Sequence, residues 1–166
     1  MKNNQTKLPF NILLADDDMD DRFFFAKALK EITVSTNLLT VNNGEQLMDY
    51  LAANETQLPH VLFLDLSMPR KTGFECLSEI KQNEKLKDLP VVMYTTSFTR
   101  SIDFEDNLKK TLNKMGAQAY IRKPGDFEVL KQVIHQALLK VIQEIEFEQQ
   151  EKTETTKKYN AQFKHP

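Results

Sequence analysis

Five short, continuous apolar runs spaced along a chain of 166 residues constrain its fold more than any other feature. They are Phe10-Asn-Ile-Leu-Leu-Ala15, Asn37-Leu-Leu-Thr-Val41, His60-Val-Leu-Phe-Leu-Asp65, Val91-Val-Met-Tyr-Thr95 and Gln118-Ala-Tyr-Ile121. Runs of this length suit strands buried on both faces, as in a parallel sheet. Pro9, Pro59 and Pro90 each stand at or just before a run. Proline is tolerated at the start of a strand and not in its middle, so these three mark boundaries.

The segments between the runs carry helical patterns with caps. Asn43-Gly-Glu-Gln46 and Thr72-Gly-Phe-Glu75 have capping-box spacing ahead of apolar residues. Ser101 can cap a helix with Phe104, Leu108, Leu112 and Met115 on one face, which Gly116 would end in the left-handed conformation. The first helix follows Asp18, with Phe23, Phe24, Ala28 and Ile32 as its apolar set. Neighbours on a helix lie about 100° apart, so Phe23, Phe24 and Phe25 cannot all face a core. The last helix starts near Asp126 and places Phe127, Leu130, Ile134, Leu138, Val141 and Ile145 at spacings of three and four. Strands alternating with helices imply an α/β fold with right-handed crossovers and helices on both faces of the sheet. Ligand sites of such folds lie at the carboxyl ends of the strands.

Composition removes several function classes. The chain has 22 basic and 24 acidic side chains, a net charge of −2, without the basic excess of a nucleic-acid binder. Its one cysteine, Cys76, can form no internal disulfide, which suits a reducing, cytoplasmic setting. The first apolar run stops at Asp16, so neither a signal peptide nor a membrane span is expected. The four glycines, Gly44, Gly73, Gly116 and Gly125, are scattered, which excludes a glycine-rich phosphate cradle. His60, His135 and His165 have no ligand spacing.

Polar residues cluster where the strands end. The first run ends in Asp16-Asp17-Asp18-Met19-Asp20-Asp21. Asp18, Asp20 and Asp21 read as first-turn, solvated capping residues, whereas Asp16 and Asp17 suit a hard cation such as Mg²⁺. The third run ends in Asp65, the fourth in Thr95-Thr96, and the fifth leads to Lys123-Pro124. Each signal is weak alone. Together they make a phosphoryl-transfer set, in which an aspartate can form an acyl phosphate while cation, lysine and hydroxyl hold its oxygens.

These segments resemble the receiver domains of two-component response regulators. Ile12-Leu-Leu-Ala-Asp16-Asp17-Asp18 resembles the opening strand and acidic pair, and Leu64-Asp65-Leu-Ser-Met68-Pro69-Arg-Lys-Thr-Gly73 the phosphoacceptor loop. Leu89-Pro-Val-Val-Met-Tyr-Thr95 resembles the fourth strand with its switch hydroxyl, and Gly116-Ala-Gln-Ala-Tyr120-Ile-Arg-Lys123-Pro124 the fifth with its aromatic switch and lysine. The resemblance implies a flavodoxin-like, doubly wound (βα)5 fold with strand order 2-1-3-4-5. It implies a receiver over residues 8–148, followed by a polar tail over 149–166. Asp65 would accept a phosphoryl group from a histidine kinase or a histidine phosphotransfer protein, with Thr95 and Lys123 holding its oxygens. Mg²⁺ (or Mn²⁺) would be bound by Asp17, Asp65 and the Ser67 backbone carbonyl, and by Asp16 through water. Tyr120 would move with Thr95 and change the face made by helix four, strand five and helix five. A downstream protein or a second copy of the chain would read that face. Pro69-Arg70-Lys71 also resembles stand-alone receivers that work with phytochrome-type or hybrid kinases.

The sequence departs from the family in three places. The stretch from Thr95 to Lys123 is longer than usual, with the extra residues expected in Ser97–Ser101 or in helix four. Thr96 replaces a small residue, and the last apolar face continues to Ile145. A helix from Asp126 to Glu148 would be roughly 34 Å long, enough to offer a dimer or docking face. Alternative readings are a phosphate-relay intermediate, a receiver-shaped scaffold that takes no phosphate, and an Mg²⁺-dependent phosphatase resembling the haloacid dehalogenase group. The phosphatase would need a second acid two positions after Asp65, where this chain has Ser67.

Overall fold

The computed structural model describes residues 9–96 and 101–162. Strands and helices alternate as β1 (Phe10–Ala15), α1 (Met19–Glu31), β2 (Thr36–Val41), α2 (Gly44–Ala53), β3 (Val61–Leu64), α3 (Gly73–Gln82), β4 (Val91–Thr95), α4 (Ile102–Lys114), β5 (Ala119–Arg122) and α5 (Phe127–Gln162). The strands form one parallel sheet of order β2-β1-β3-β4-β5, as expected.

Period-two alternation splits the core into two layers. Leu13, Ala15, Leu62, Leu64, Val91 and Met93 face α2, α3 and α4, burying Leu47, Leu51, Leu77, Ile80 and Leu112. Ile12, Leu14, Val61, Phe63, Val92 and Tyr94 face α1 and α5, burying Phe25, Leu29, Leu130, Ile134, Leu138 and Val141. Every residue of β3 and β4 is buried, which is why these runs are apolar up to Thr95 at the end of β4.

The caps form largely as their sequences suggest. Thr72 and Glu75 make a reciprocal capping box, and the Asn43 side chain accepts from the Gln46 amide. The Gln46 side chain reaches back one residue further than a true box, to the Asn42 amide. Ser101 caps α4 by accepting from the Phe104 amide, and Gly116 follows that helix at φ +99°.

Three expectations change. The apolar face of α1 is Phe25, Ala28 and Leu29, while Phe23 and Phe24 are exposed. On α4 only Leu112 is fully buried; Leu108 and Met115 pack partly and Phe104 is exposed. The helix expected to end near Glu148 continues to Gln162, a span of 36 residues, so much of the segment expected as a polar tail is helical. No glycine or proline interrupts the sequence from Asp126 to His165. The hydroxyls of Thr153, Thr155 and Thr156 donate to carbonyls four residues earlier, so these side chains follow the helix rather than cap it. The segment Ser97–Arg100, where extra loop residues were expected, lies outside the described residues, as does His165.

Candidate functional site

The sheet register brings the polar strand ends together. The Asp65 amide donates to the Ala15 carbonyl at 2.9 Å, and the Lys123 amide donates to the Thr95 carbonyl at 2.8 Å. Asp16, Asp65, Thr95 and Lys123 therefore lie side by side past the ends of β1, β3, β4 and β5. Asp16, Asp65 and Thr95 are buried, and the Lys123 side chain is 6% exposed.

Lys123 is the hub. Its Nζ lies 2.7 Å from Asp16 Oδ2, 2.8 Å from Asp21 Oδ2 and 3.8 Å from Asp65 Oδ1. The same ammonium sits 5.1 Å from the centroid of the Tyr94 ring, a cation–π contact in the layer between sheet and α1. Burial opposes the lysine's charge, but the hydrogen bonds it donates to Asp16 and Asp21 outweigh that and raise its pKa above the ordinary value. Burial pushes the Asp16 carboxyl up to about 6, which the Lys123 ammonium offsets only in part. Burial also raises Asp65 above the usual carboxylate range, against the pull of Lys123.

Asp16, Asp17 and Asp65 each present a carboxylate oxygen, and these oxygens lie within 4.8 Å of one another. Such an all-oxygen group matches a hard divalent cation. Asp65 Oδ1 is buried and has no hydrogen-bond partner among the described residues, and the Thr95 hydroxyl is in the same state. Buried polar atoms are normally paired, so an open oxygen beside two further carboxylates is a fit for a cation or a phosphoryl group.

The loop after β3 is tightly shaped. The Gly73 amide donates to the Leu66 carbonyl at 2.9 Å, tying the start of α3 to the residue after Asp65. Arg70 has φ 68° and the Lys71 amide donates to the Pro69 carbonyl at 2.8 Å, a γ-turn of the rare strained kind. Ser67 is exposed on this loop. Tyr120 stands apart on the α4 side of the sheet, half-buried, with Lys109 Nζ 5.5 Å from its ring centroid. Glu105 of α4 faces both Lys109 at 3.6 Å and Arg122 of β5 at 3.7 Å, so a charged lattice joins α4 to β5 beside Tyr120. His60 is structural: its Nδ1 accepts from the Asn11 amide and its ring stacks on Phe10 at 4.7 Å.

Sequence reasoning missed two members of the site, Asp21 and Tyr94. Asp21 reads as one more solvated acid of the first turn, and Tyr94 as core. The available signal was positional, since α1 begins where β1 ends and its first turn therefore borders the strand-end cluster.

A parallel five-stranded sheet with an acid cluster, a lysine and a hydroxyl at its carboxyl edge defines a phosphoryl-accepting signalling module. The chain belongs to the family of response regulator receiver domains, whose model matches residues 12–135. It is 31% identical over 131 residues to a protein of Methanothrix harundinacea described as a probable methanogenesis regulatory protein, FilR2, covering 77% of this chain and 81% of that one. The phosphorylated cyanobacterial phytochrome response regulator RcpA superposes with a TM-score of 0.67 at 31% identity, over 78% of this chain and 91% of that one. The Mn²⁺-bound form of response regulator Rcp1 superposes with a TM-score of 0.65 at 30% identity, over 76% and 90% of the two chains. The chain is thus a receiver of the phosphorylation-switched signalling class. No helix among the described residues is long and apolar enough to cross a membrane.

Proposed function

We propose that Asp65 accepts a phosphoryl group from a phosphohistidine of a histidine kinase or histidine phosphotransfer protein in the cytoplasm. The observation that carries this reading is the buried, unpaired Asp65 Oδ1, set 3.8 Å from the Lys123 ammonium. In the transfer an Asp65 carboxylate oxygen forms the new O–P bond while the N–P bond of the donor breaks. The electron pair stays on the imidazole nitrogen, which takes a proton from solvent. Lys123 and the Thr95 hydroxyl donate to the phosphoryl oxygens, where charge builds up. Asp17, Asp65 and the Ser67 carbonyl would hold Mg²⁺ or Mn²⁺, with Asp16 acting through water. The bound ion would supply positive charge to the phosphoryl oxygens.

The new charge biases a two-state element. When Thr95 turns to the phosphoryl group, the space beside it opens to Tyr120, and the Glu105–Lys109–Arg122 lattice on α4 and β5 resets. The α4–β5–α5 face is then read by a downstream protein or by a second copy of the chain. Output comes from this surface, not from catalytic turnover of a separate substrate. The test is intact mass after treatment with acetyl phosphate and Mg²⁺. Wild type is expected to gain one phosphoryl group and Asp65→Asn none. Equal behaviour of the two would overturn the assignment.

A further inference from the structure

The Lys123 ammonium faces three carboxylates, and the one that bonds it best is not the phosphoacceptor. Asp21 Oδ2 accepts a well-aligned hydrogen bond from Nζ at 2.8 Å, across 102 residues of sequence. Asp65 Oδ1 is 3.8 Å from the same nitrogen and has no hydrogen-bond partner among the described residues. Asp21 is itself held in place. Its backbone amide and that of Asp20 both donate to Asp18 Oδ1, the cap of α1. The helix start thus fixes the backbone from which the Asp21 carboxylate reaches the lysine, and the Tyr94 ring closes a further side of the lysine.

We propose that Asp21 is a positioning residue of the phosphoryl-transfer site, holding the Lys123 ammonium off Asp65 so that the Asp65 carboxylate stays open as nucleophile and cation ligand. This rests on the reading of Asp65 as phosphoacceptor. An ammonium has three N–H donors, and one freed from Asp21 would seek a further acceptor besides Asp16 Oδ2, which already lies 2.7 Å away. That acceptor is Asp65 Oδ1, and a shift of roughly 1 Å brings Nζ to the usual charge-assisted distance. A carboxylate oxygen closed by lysine is a weaker nucleophile and a weaker cation ligand. Asp16 shares the restraint through Oδ2 at 2.7 Å, but its Oδ1 accepts the Asp18 amide, so it has no second oxygen to offer Nζ in place of Asp21.

The test uses the full chain as wild type, Asp21→Ala and Asp21→Asn. Binding of Mn²⁺ alone is followed by titration calorimetry, and initial rates of phosphorylation by acetyl phosphate are measured across Mg²⁺ concentrations. Asp21→Ala is expected to weaken Mn²⁺ binding about tenfold, the usual scale for loss of an outer-shell partner, and to slow phosphorylation. Asp21→Asn keeps an acceptor for Nζ without the charge and is expected to lie nearer wild type than Asp21→Ala. It also serves if the alanine variant folds poorly. Wild-type Mn²⁺ affinity and rate in Asp21→Ala would overturn the proposal. So would identical losses in both variants, since these would point to bulk charge rather than to a held lysine. Wild type that takes up no phosphoryl group would instead overturn the assignment of Asp65.

Discussion

Gly73 packs directly against the backbone of Asp65: a β-carbon at position 73 would collide with the Asp65 carbonyl oxygen and come within 2.8 Å of Leu66 Cα. The obstacle is backbone, so no side chain can swing away to relieve it. Gly73→Ala is therefore expected to push α3 from the end of β3 and displace Asp65. Overpacking of this kind costs about 1–3 kcal/mol. Urea unfolding should show that loss, and acetyl phosphate labelling of Asp65 should slow in the folded variant. A variant with wild-type stability and labelling would show that the loop yields more easily than its contacts imply.

The core layer beneath the site turns on Phe25. Its ring lies 4.9 Å from that of Phe63 and 5.4 Å from that of Tyr94, both in edge-on contact. Tyr94 in turn lies under Lys123. Phe25→Ala is expected to cost about 3–5 kcal/mol, as large buried aromatics do. Phe23 is 62% exposed, and Phe23→Ala should change stability by no more than about 0.5 kcal/mol. Similar losses in the two variants would mean that the phase of α1 is wrong.

That phase marks a limit of what the sequence made legible. The central strands were readable because β3 and β4 are buried on both faces and so are apolar up to Thr95. The main site residues were readable because the fold places them at strand ends, where Asp65, Thr95 and Lys123 each close or follow an apolar run. Three adjacent phenylalanines carry no such information. Only the joint burial of Phe25, Ala28 and Leu29 sets the rotation of α1, and that depends on contacts with β3, β4 and α5. Asp21 was hidden for the same reason. Its partner is 102 residues away, while its local setting is that of an ordinary first-turn acid. The length of α5 was not legible because its outer part is mostly polar, and only the lack of a glycine or proline marks it as helix.

Cys76 should behave as a core residue rather than a reactive thiol. It is fully buried, its Sγ is 3.7 Å from the Gly44 carbonyl, and burial pushes its pKa from 9.0 up to about 11. At pH 8 about a thousandth of it is thiolate, and no reagent reaches it without opening of the fold. Modification by a thiol reagent should therefore be slow in native protein and fast in urea. The raised pKa also has a sign for stability. Its contribution is fully present below pH 9 and is lost as pH rises through about 11. Comparison with Cys76→Ala should isolate a loss on the order of 2 kcal/mol across that window, present only in wild type. Rapid native labelling at pH 8 would contradict both expectations.

The outer part of α5 is expected to add helix without adding much stability. Among the described side chains of the helix Val141 is the last that is fully buried, and Ile145 is half-buried against the core. Phe147 is 61% exposed, and residues 148–159 are exposed throughout. Glu148 with Lys152 and Glu154 with Lys158 have the i, i+4 spacing that supports a solvated helix by a few tenths of a kcal/mol per pair. Short helices without tertiary packing are marginal in water. Truncation after Glu148 should thus reduce the far-UV helix signal while shifting the unfolding free energy by less than about 0.5 kcal/mol. In hydrogen exchange, amides beyond Glu148 should exchange early, and those around Ile134 and Leu138 should persist to global unfolding. A large loss of stability on truncation would mean that this segment packs against something in solution. If light scattering then showed a change in mass between the full and truncated chains, a second copy would be that partner.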